Sequence, residues 1–193
     1  MYDTMPTITK AVARKYNVLA HLYDWIWPNY IRKTVAMATK HLTLRGGEQI
    51  LDIGCGTGAL VKVLLKKNTD IHILGIDISK DMLHKANKKL SRFPQAVFKE
   101  ADFMKFDLKP EAYELAFSIS NLHYFNDSKA FFKKVRRVLK KGGRFTLVDW
   151  DRGSLRGKFY DWYMRLVDPG FHGVHTEEEA IKLFEENGFI ASI

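Results

Sequence analysis

Four carboxylates and one histidine, each just past an apolar run, carry the chemistry open to this chain: Asp52, Asp77, Asp102, Asp149 and His123. Asp52 stands two positions before the loop Gly54-Cys55-Gly56-Thr57-Gly58-Ala59. Glycines let the main chain take positive φ and approach a bound molecule closely, and the helix that follows presents unpaired N–H groups there. A carboxylate at the mouth of such a loop repels a pyrophosphate and attracts a cation. Asp77, ~20 residues beyond the loop, suits a bidentate bond to a ribose diol. Asp102 is placed to accept from an adenine amino group, with Phe103 and Ile78 flanking the ring. The set reads as a site for a nucleoside that carries positive charge. His123, past another strand, is the first candidate for a general base, with a structural loop histidine as the alternative.

These residues need a scaffold that brings strand ends together. From about residue 46 the pattern alternates strand and helix, which predicts an α/β fold with a doubly wound, mostly parallel sheet. Strands are expected at 49–53, 71–76, 96–100, 115–119 and 144–149. Helices are expected from Ala59 to Lys67, after the N-cap Ser79 with Asp81 in the first turn, through the basic run 131–141 ending at Gly142-Gly143, and from Thr176, whose spacing to Glu179 makes a capping box, to Gly188. Residues 189–193 read as the start of a sixth strand. In such sheets ligands bind beyond the carboxyl ends of the strands, where Asp52 to Gly58, Asp77, Asp102-Phe103 and 118–123 all lie.

Two segments stand outside the alternation: residues 1–45, of helical character, and 150–175, an irregular insertion with Pro169-Gly170 inside the main domain of residues 46–193. All four tryptophans, Trp25, Trp27, Trp150 and Trp162, fall in them, with Tyr16, Tyr23, Tyr30, Phe159, Tyr160, Tyr163 and Phe171. Aromatics gathered in appendages point to a pocket wall or lid; the alternative is that they attach the appendages to the sheet.

Composition narrows the class. The 193 residues are 46% hydrophobic and 27% charged, so one well-buried domain is expected. Met1 to Pro6 opens no leader peptide, and no stretch approaches the ~18 apolar residues of a membrane span, so a soluble, cytoplasmic protein is expected. Cys55, the single cysteine, excludes an intrachain disulfide and reads as small filler in the loop rather than a reactive thiol. No metal constellation is visible. The net charge of +9 comes with basic residues on the outer faces of helices: Lys133, Lys134, Arg136 and Arg137 oppose Phe131, Phe132, Val135 and Val138, and Lys85, Lys88 and Lys89 oppose Met82, Leu83, Ala86 and Leu90. That dispersal argues against nucleic acid and leaves contact with an anionic membrane or an acidic substrate.

The loop also satisfies the G-x-G-x-x-A form of the nicotinamide dinucleotide fingerprint, so the charge of Asp52 has to decide. An ammonium or sulfonium group is welcome beside it. At this point the chain resembles the UbiE-like small-molecule group of class I S-adenosylmethionine-dependent methyltransferases. Leu51-Asp52-Ile53-Gly54-Cys55-Gly56-Thr57-Gly58 is similar to that family's first motif, and Gly75-Ile76-Asp77-Ile78-Ser79 to its ribose-binding motif. Ala101-Asp102-Phe103, Asn121-Leu122-His123-Tyr124 and Leu139-Lys140-Lys141-Gly142-Gly143-Arg144 resemble later segments in order. Lys15-Tyr16-Asn17 and Leu22-Tyr23-Asp24 resemble the paired elements of the family lid, with Asn17 where Asp is common. The resemblance implies S-adenosylmethionine as cofactor, contacted by Asp52, Gly54, Cys55, Gly56, Gly58, Asp77, Ile78 and Met82. It further implies Ala101, Asp102, Phe103, Ser118 and Ile119, with Tyr16 or Tyr23 closing over it.

The family sheet normally ends in an antiparallel hairpin beside strand five, whereas residue 193 follows what reads as the sixth strand. Either the chain continues, a partner chain covers that edge, or the fold is trimmed; the oligomeric state stays open.

Methyl transfer from a sulfonium is an in-line displacement, so positioning in a dry pocket carries most of it, and a base is needed only where the acceptor must lose a proton. Trp25, Trp27, Asp149, Trp150, Tyr163 and His172 are the candidate acceptor pocket. Asp149 and Asp151 steer a cationic acceptor or cap the strand, and His172 and His175 belong to the pocket or the surface. An aromatic, apolar surround beside a basic surface fits a small quinone precursor, phenol or lipid amine. The alternatives are a non-catalytic S-adenosylmethionine-binding interaction protein and a NAD-dependent oxidoreductase.

Overall fold

The computed structural model describes residues 7–193, so the reading of Met1 to Pro6 lies outside the described residues. Five strands, β1 (Glu48–Ile53), β2 (Ile71–Asp77), β3 (Ala96–Glu100), β4 (Tyr113–Ile119) and β5 (Leu139–Val148), form one all-parallel sheet in the order β3-β2-β1-β4-β5. The chain builds outward from β1 to β3 and then crosses to β4 on the other side of β1. The strand order therefore reverses between β1 and β4, where a parallel sheet opens a crevice beyond its carboxyl ends. Ile53 pairs with both Ile76 and Ser118, so the strand ends around that crevice are level.

Side chains alternate across the sheet and so feed two cores. Ile50, Ile73, Leu115 and Phe117 pack with Leu60, Val61 and Leu64 of α4 (Ala59–Lys67) and with Val35 and Ala38 of an N-terminal helix. Leu51, Ile53 and Ala116 turn to the other face and meet Phe131, Phe132, Val135 and Val138 of α6 (Ser128–Val138). The helix α5 (Lys80–Leu90) is capped by Ser79, whose hydroxyl accepts from Met82 N at 3.2 Å. The capping box on α8 (Glu177–Glu186) is present as the spacing predicts.

The N-terminal segment forms α1 (Thr7–Ala20), α2 (Tyr23–Ile26) and α3 (Pro28–Ala38). It divides by role: α3 belongs to the core, whereas α1 packs on α5 across the crevice.

Four expectations are corrected. The basic helix stops at Val138 rather than Lys141, because the carbonyls of Arg137 and Val138 are taken by the backbone N–H groups of Glu111 and Ala112. The segment Lys140–Gly143, with Gly142 at φ 77°, is an irregularity within β5 where the register shifts between Tyr113 and Leu115, not a helix cap. The 150–175 stretch, read as irregular, contains the 13-residue helix α7 (Leu155–Val167), capped by Ser154. Apolar residues lie on both its sides, Tyr160 and Met164 inward and Leu155, Phe159, Trp162 and Leu166 outward, which blurs the amphipathic pattern. Phe189–Ile193 form no strand: Phe189 N bonds Phe184 O and Gly188 N bonds Glu185 O, closing α8 while Phe189 packs against Phe132, Phe145 and Phe184. Among the described residues β5 is thus an edge strand.

Ser79 joins two elements, since its hydroxyl also donates to Asn17 Oδ1 of α1 at 2.7 Å. Ser79→Ala is expected to cost about 1 kcal/mol in urea unfolding. An unchanged stability would contradict the cap.

Candidate functional site

The glycine loop is held open by its neighbours. Gly54 N and Cys55 N both donate to Ile76 O, at 2.8 and 3.1 Å, which ties the loop to the end of β2. Gly54 has φ 72°, and a Cβ there would fall 2.5 Å from Asn121, so only glycine lets the β1 and β4 loops meet. Asn121 Nδ2 donates to Ile53 O at 3.3 Å across the same gap. Gly56, by contrast, has nothing within 4 Å of the position of a Cβ, and its N–H donates to Asp77 Oδ2 at 2.8 Å. Asp77 Oδ1 accepts from Ser79 N at 2.8 Å, so this carboxylate is fixed between the loop and the start of α5.

A cleft lies over the loop. Tyr16, Tyr23, Gly54, Gly56, Asp77, Ile78, Met82 and Ile119 line it, all expected contacts from the sequence, together with Val12, which was not, and with Ser120, Asn121 and Tyr124, read as part of the segment past β4 but not as contacts. The sequence reading of the 118–124 turn settled on His123, whereas the neighbours Ser120, Asn121 and Tyr124 face the cleft. Val12 carried no signal beyond its place on a helix.

Three polar clasps hold the N-terminal helices over the cleft. Lys15 Nζ donates to Asp168 Oδ2 at 2.6 Å, Tyr124 OH donates to the same oxygen at 3.0 Å, and Tyr16 OH donates to Tyr124 OH at 3.1 Å. Asn17 Oδ1 accepts from Ser79 Oγ and from Asp81 N. Thr57 Oγ1 and Lys89 Nζ both donate to Asp24, at 2.6 and 2.7 Å, which ties α2 to the glycine loop and α5.

The other sequence candidates fall outside the cleft lining. Gly58 serves helix packing, since a Cβ there would lie 2.9 Å from Leu90. Cys55 is buried, and burial with the nearby Asp77 and Asp52 pushes its thiol up, in keeping with filler. Ala101 and Phe103 are buried, and Phe103 meets Phe125 and Phe131 edge-on, so its ring belongs to the core rather than to a ligand. Asp102 Oδ1 accepts from Met104 N at 2.9 Å. Ser118 is fully buried and its Oγ lacks a partner among the described residues.

Of the acceptor candidates, Trp25 is 79% exposed and Trp27 lies against Tyr23, so neither reaches the cleft. Trp150 is stacked between Tyr30, at 5.7 Å, and Tyr160, at 4.3 Å. Tyr30 OH bonds Ser120 Oγ at 2.5 Å, so this aromatic wall reaches the cleft lining. Behind it an apolar groove is lined by Trp150, Leu155, Arg156, Phe159, Tyr160 and Tyr163. His123 is buried among Tyr124, Tyr160 and Phe171, its Nδ1 2.7 Å from Asp149 Oδ1. Asp149 also accepts from Trp150 N and His123 N. Its oxygens cap the strand end. His172 N donates to His123 O at 2.8 Å, and burial lowers the pKa of His175.

A family model described as a methyltransferase domain matches residues 44–188. The 27-O-demethylrifamycin SV methyltransferase of Amycolatopsis mediterranei is 28% identical over 76% of this chain and 60% of its own length. The demethylmenaquinone methyltransferase of Thermotoga maritima is 25% identical over 94% of this chain and 86% of its own. The chain spans 60% and 52% of the length of two such relatives, the second an O-methyltransferase of Pyrenophora dematioidea. In fold, it superposes with a TM-score of 0.80 at 20% identity on the Haemonchus contortus phosphoethanolamine N-methyltransferase 2 in complex with S-adenosyl-L-methionine, covering 97% of this chain and 45% of that one.

Two carboxylates meet at the cleft without a compensating cation: Asp77 lines it, and Asp52 is buried behind the lining. Asp52 pairs with Gly75 in the sheet register, so Asp52 and Asp77 point to the same face two residues apart. Asp52 is buried, its Oδ2 has no hydrogen-bond partner among the described residues, and burial together with the charge of Asp77 pushes its carboxyl up to about 7. Burial also raises Asp77, opposed by the backbone donors of Ser79, Gly56 and Ile78. Burial holds the Tyr16 and Tyr124 phenols above their ordinary range, and Tyr23 is pushed up to about 12. None of these supplies a cation.

A carboxylate raised from about 4 to about 7 binds its proton more tightly in the folded state, so its cost to the unliganded fold is absent at low pH and grows as pH rises to about 7. Asp52→Asn removes that cost. Its stability advantage over the unsubstituted protein is expected to widen by on the order of 2 kcal/mol between pH 5 and pH 8 in urea unfolding. A gap independent of pH would contradict the assignment.

Proposed function

The chain belongs to the class I S-adenosylmethionine-dependent methyltransferase family whose domain model spans residues 44–188, and we propose that it transfers a methyl group to a small aromatic or apolar acceptor. The observation that carries this reading is the buried, unpartnered Asp52 beside Asp77 under a glycine loop. Two adjacent carboxylates disfavour a pyrophosphate and favour a ligand that brings its own positive charge. When bound, S-adenosylmethionine supplies an electrophilic methyl on a sulfonium, which departs as a neutral thioether when the acceptor's lone pair takes the methyl. Asp77 is held by two backbone donors with lone pairs left for a ribose diol, and Gly54 and Gly56 let a ligand lie against the backbone. Ile78 and Met82 offer the apolar walls for an adenine, and Tyr16 and Tyr23 close the cleft from above.

The chain's own contribution to the transfer is then positioning and exclusion of water, the effects on which in-line displacement chiefly depends. His123, tied to Asp149 behind Tyr124, is assigned to holding the 120–124 turn, which presents Ser120, Asn121 and Tyr124 to the cleft. The stacked Tyr30, Trp150 and Tyr160 favour a flat, apolar acceptor. Relatives are named for demethylmenaquinone and 27-O-demethylrifamycin SV, but also for phosphoethanolamine, so this reading of the acceptor is supported by the aromatic wall rather than by the family.

S-adenosylhomocysteine is expected to raise the melting temperature where NAD does not, and labelled methyl from S-adenosylmethionine is expected in quinols or phenols rather than in phosphorylated amines. Stabilisation by NAD alone would overturn the donor. Labelling confined to the phosphorylated amines would overturn the acceptor.

A further inference from the structure

Helix α7 turns apolar residues outward. Gly157, Asp161 and Met164 face the protein, while Leu155, Phe159, Trp162 and Leu166 are 85, 65, 58 and 67% exposed. At about 3.6 residues per turn these four form one stripe on the side opposite the buried face. Cations border it on both sides, Arg156 on one and Lys158 and Arg165 on the other. Asp161, the only acid of the helix, is turned inward, where it accepts from Arg165 and from Val174 N. The outer face therefore shows aromatic and aliphatic side chains between positive edges, on a chain of net charge +9.

We propose that α7 is a contact helix for an anionic phospholipid surface, lying in the plane of the interface. A 13-residue helix with Trp, Phe and Leu on one side and Arg and Lys along its borders has the composition of an interfacial anchor. Among the described residues no helix is long and apolar enough to cross a membrane, so the contact is peripheral. Charge selects this occupant over a second copy of the chain: two such faces brought together would also bring together Arg156 and Lys158 of both copies, whereas lipid phosphates meet them with the opposite sign. The stripe also borders the groove of Trp150, Phe159, Tyr160 and Tyr163 that backs on the cleft wall. A lipid-dissolved acceptor would enter there, a corollary that rests on the proposed function; the membrane contact itself does not.

Flotation of the full chain with vesicles tests the contact in the absence of methyl donor and acceptor. Vesicles of phosphatidylcholine with phosphatidylglycerol are expected to carry the protein, and phosphatidylcholine alone to carry at least ~10-fold less. Trp162→Ser with Leu166→Ser, and separately Arg156→Glu with Lys158→Glu, are each expected to reduce recovery with the anionic vesicles by on the order of ten-fold, with S-adenosylhomocysteine affinity kept as the check of folding. Equal recovery with both vesicle types, or retention in the Trp162→Ser/Leu166→Ser variant, overturns the proposal. A dimer in light scattering without lipid that this variant dissolves also overturns it, assigning the face to a second copy.

Discussion

The structure turns on a buried carboxylate that the protein leaves without a partner. Asp52 lies at the end of the central strand, next to the side-chain-free Gly75 and on the same face as Asp77, and no cation of the described chain reaches it. Burying such a group is costly, and the cost is met by raising its pKa rather than by an internal ion pair. The same placement makes the cleft selective. A ligand that brings positive charge relieves the strain between the two acids, and one that brings a phosphate increases it. Strand order, loop glycines and the cap of α5 all serve to keep the two carboxylates on one face of the sheet, two residues apart, at the crevice where the sheet reverses.

Closure over that site combines the buried apolar residues Val12, Ala13 and Ala20 of α1 with a few long-range polar contacts. Asn17 on Ser79, Asp24 on Thr57 and Lys89, and Lys15 with Tyr16 on Tyr124 and Asp168 clasp the N-terminal helices at three points around the cleft. Each is partly exposed and worth little alone, so the clasps hold as a set while leaving a ligand a way in. Asn17 accepts from a hydroxyl and a backbone N–H, which an amide oxygen does as well as a carboxylate would, and this explains why its departure from the family's usual Asp leaves the clasp intact.

What the sequence made legible and what it hid have physical reasons. Strands buried on both faces are continuous apolar runs, and caps are set by side chains within three residues, so β1, the N-cap Ser79 and the box from Thr176 to Glu179 stand where local pattern puts them. Helix α6 ends early because its carbonyls are taken by Glu111 and Ala112, far along the chain, which no local pattern records. Helix α7 was hidden because apolar residues occupy both its faces, Tyr160 and Met164 inward and Phe159 and Trp162 outward, and Phe189 packs on α8 and β5 where a strand was expected. At the site, the glycine loop, Asp52 and Asp77 were readable from spacing. Phe103 and His123 were not, since whether a residue past a strand faces the crevice or the core depends on the turn that carries it.

The coupling between the Asp52 charge and the ligand is open to direct measurement. Calorimetric titration of S-adenosylmethionine at pH 7, repeated in buffers of different ionisation enthalpy, counts the protons exchanged on binding. With Asp52 near its midpoint at that pH, a cation drawn to it expels part of a proton. The expected result is net release from the unsubstituted protein that is absent in Asp52→Asn. Binding without proton release, or with release that survives the substitution, would contradict a site built on an uncompensated carboxylate.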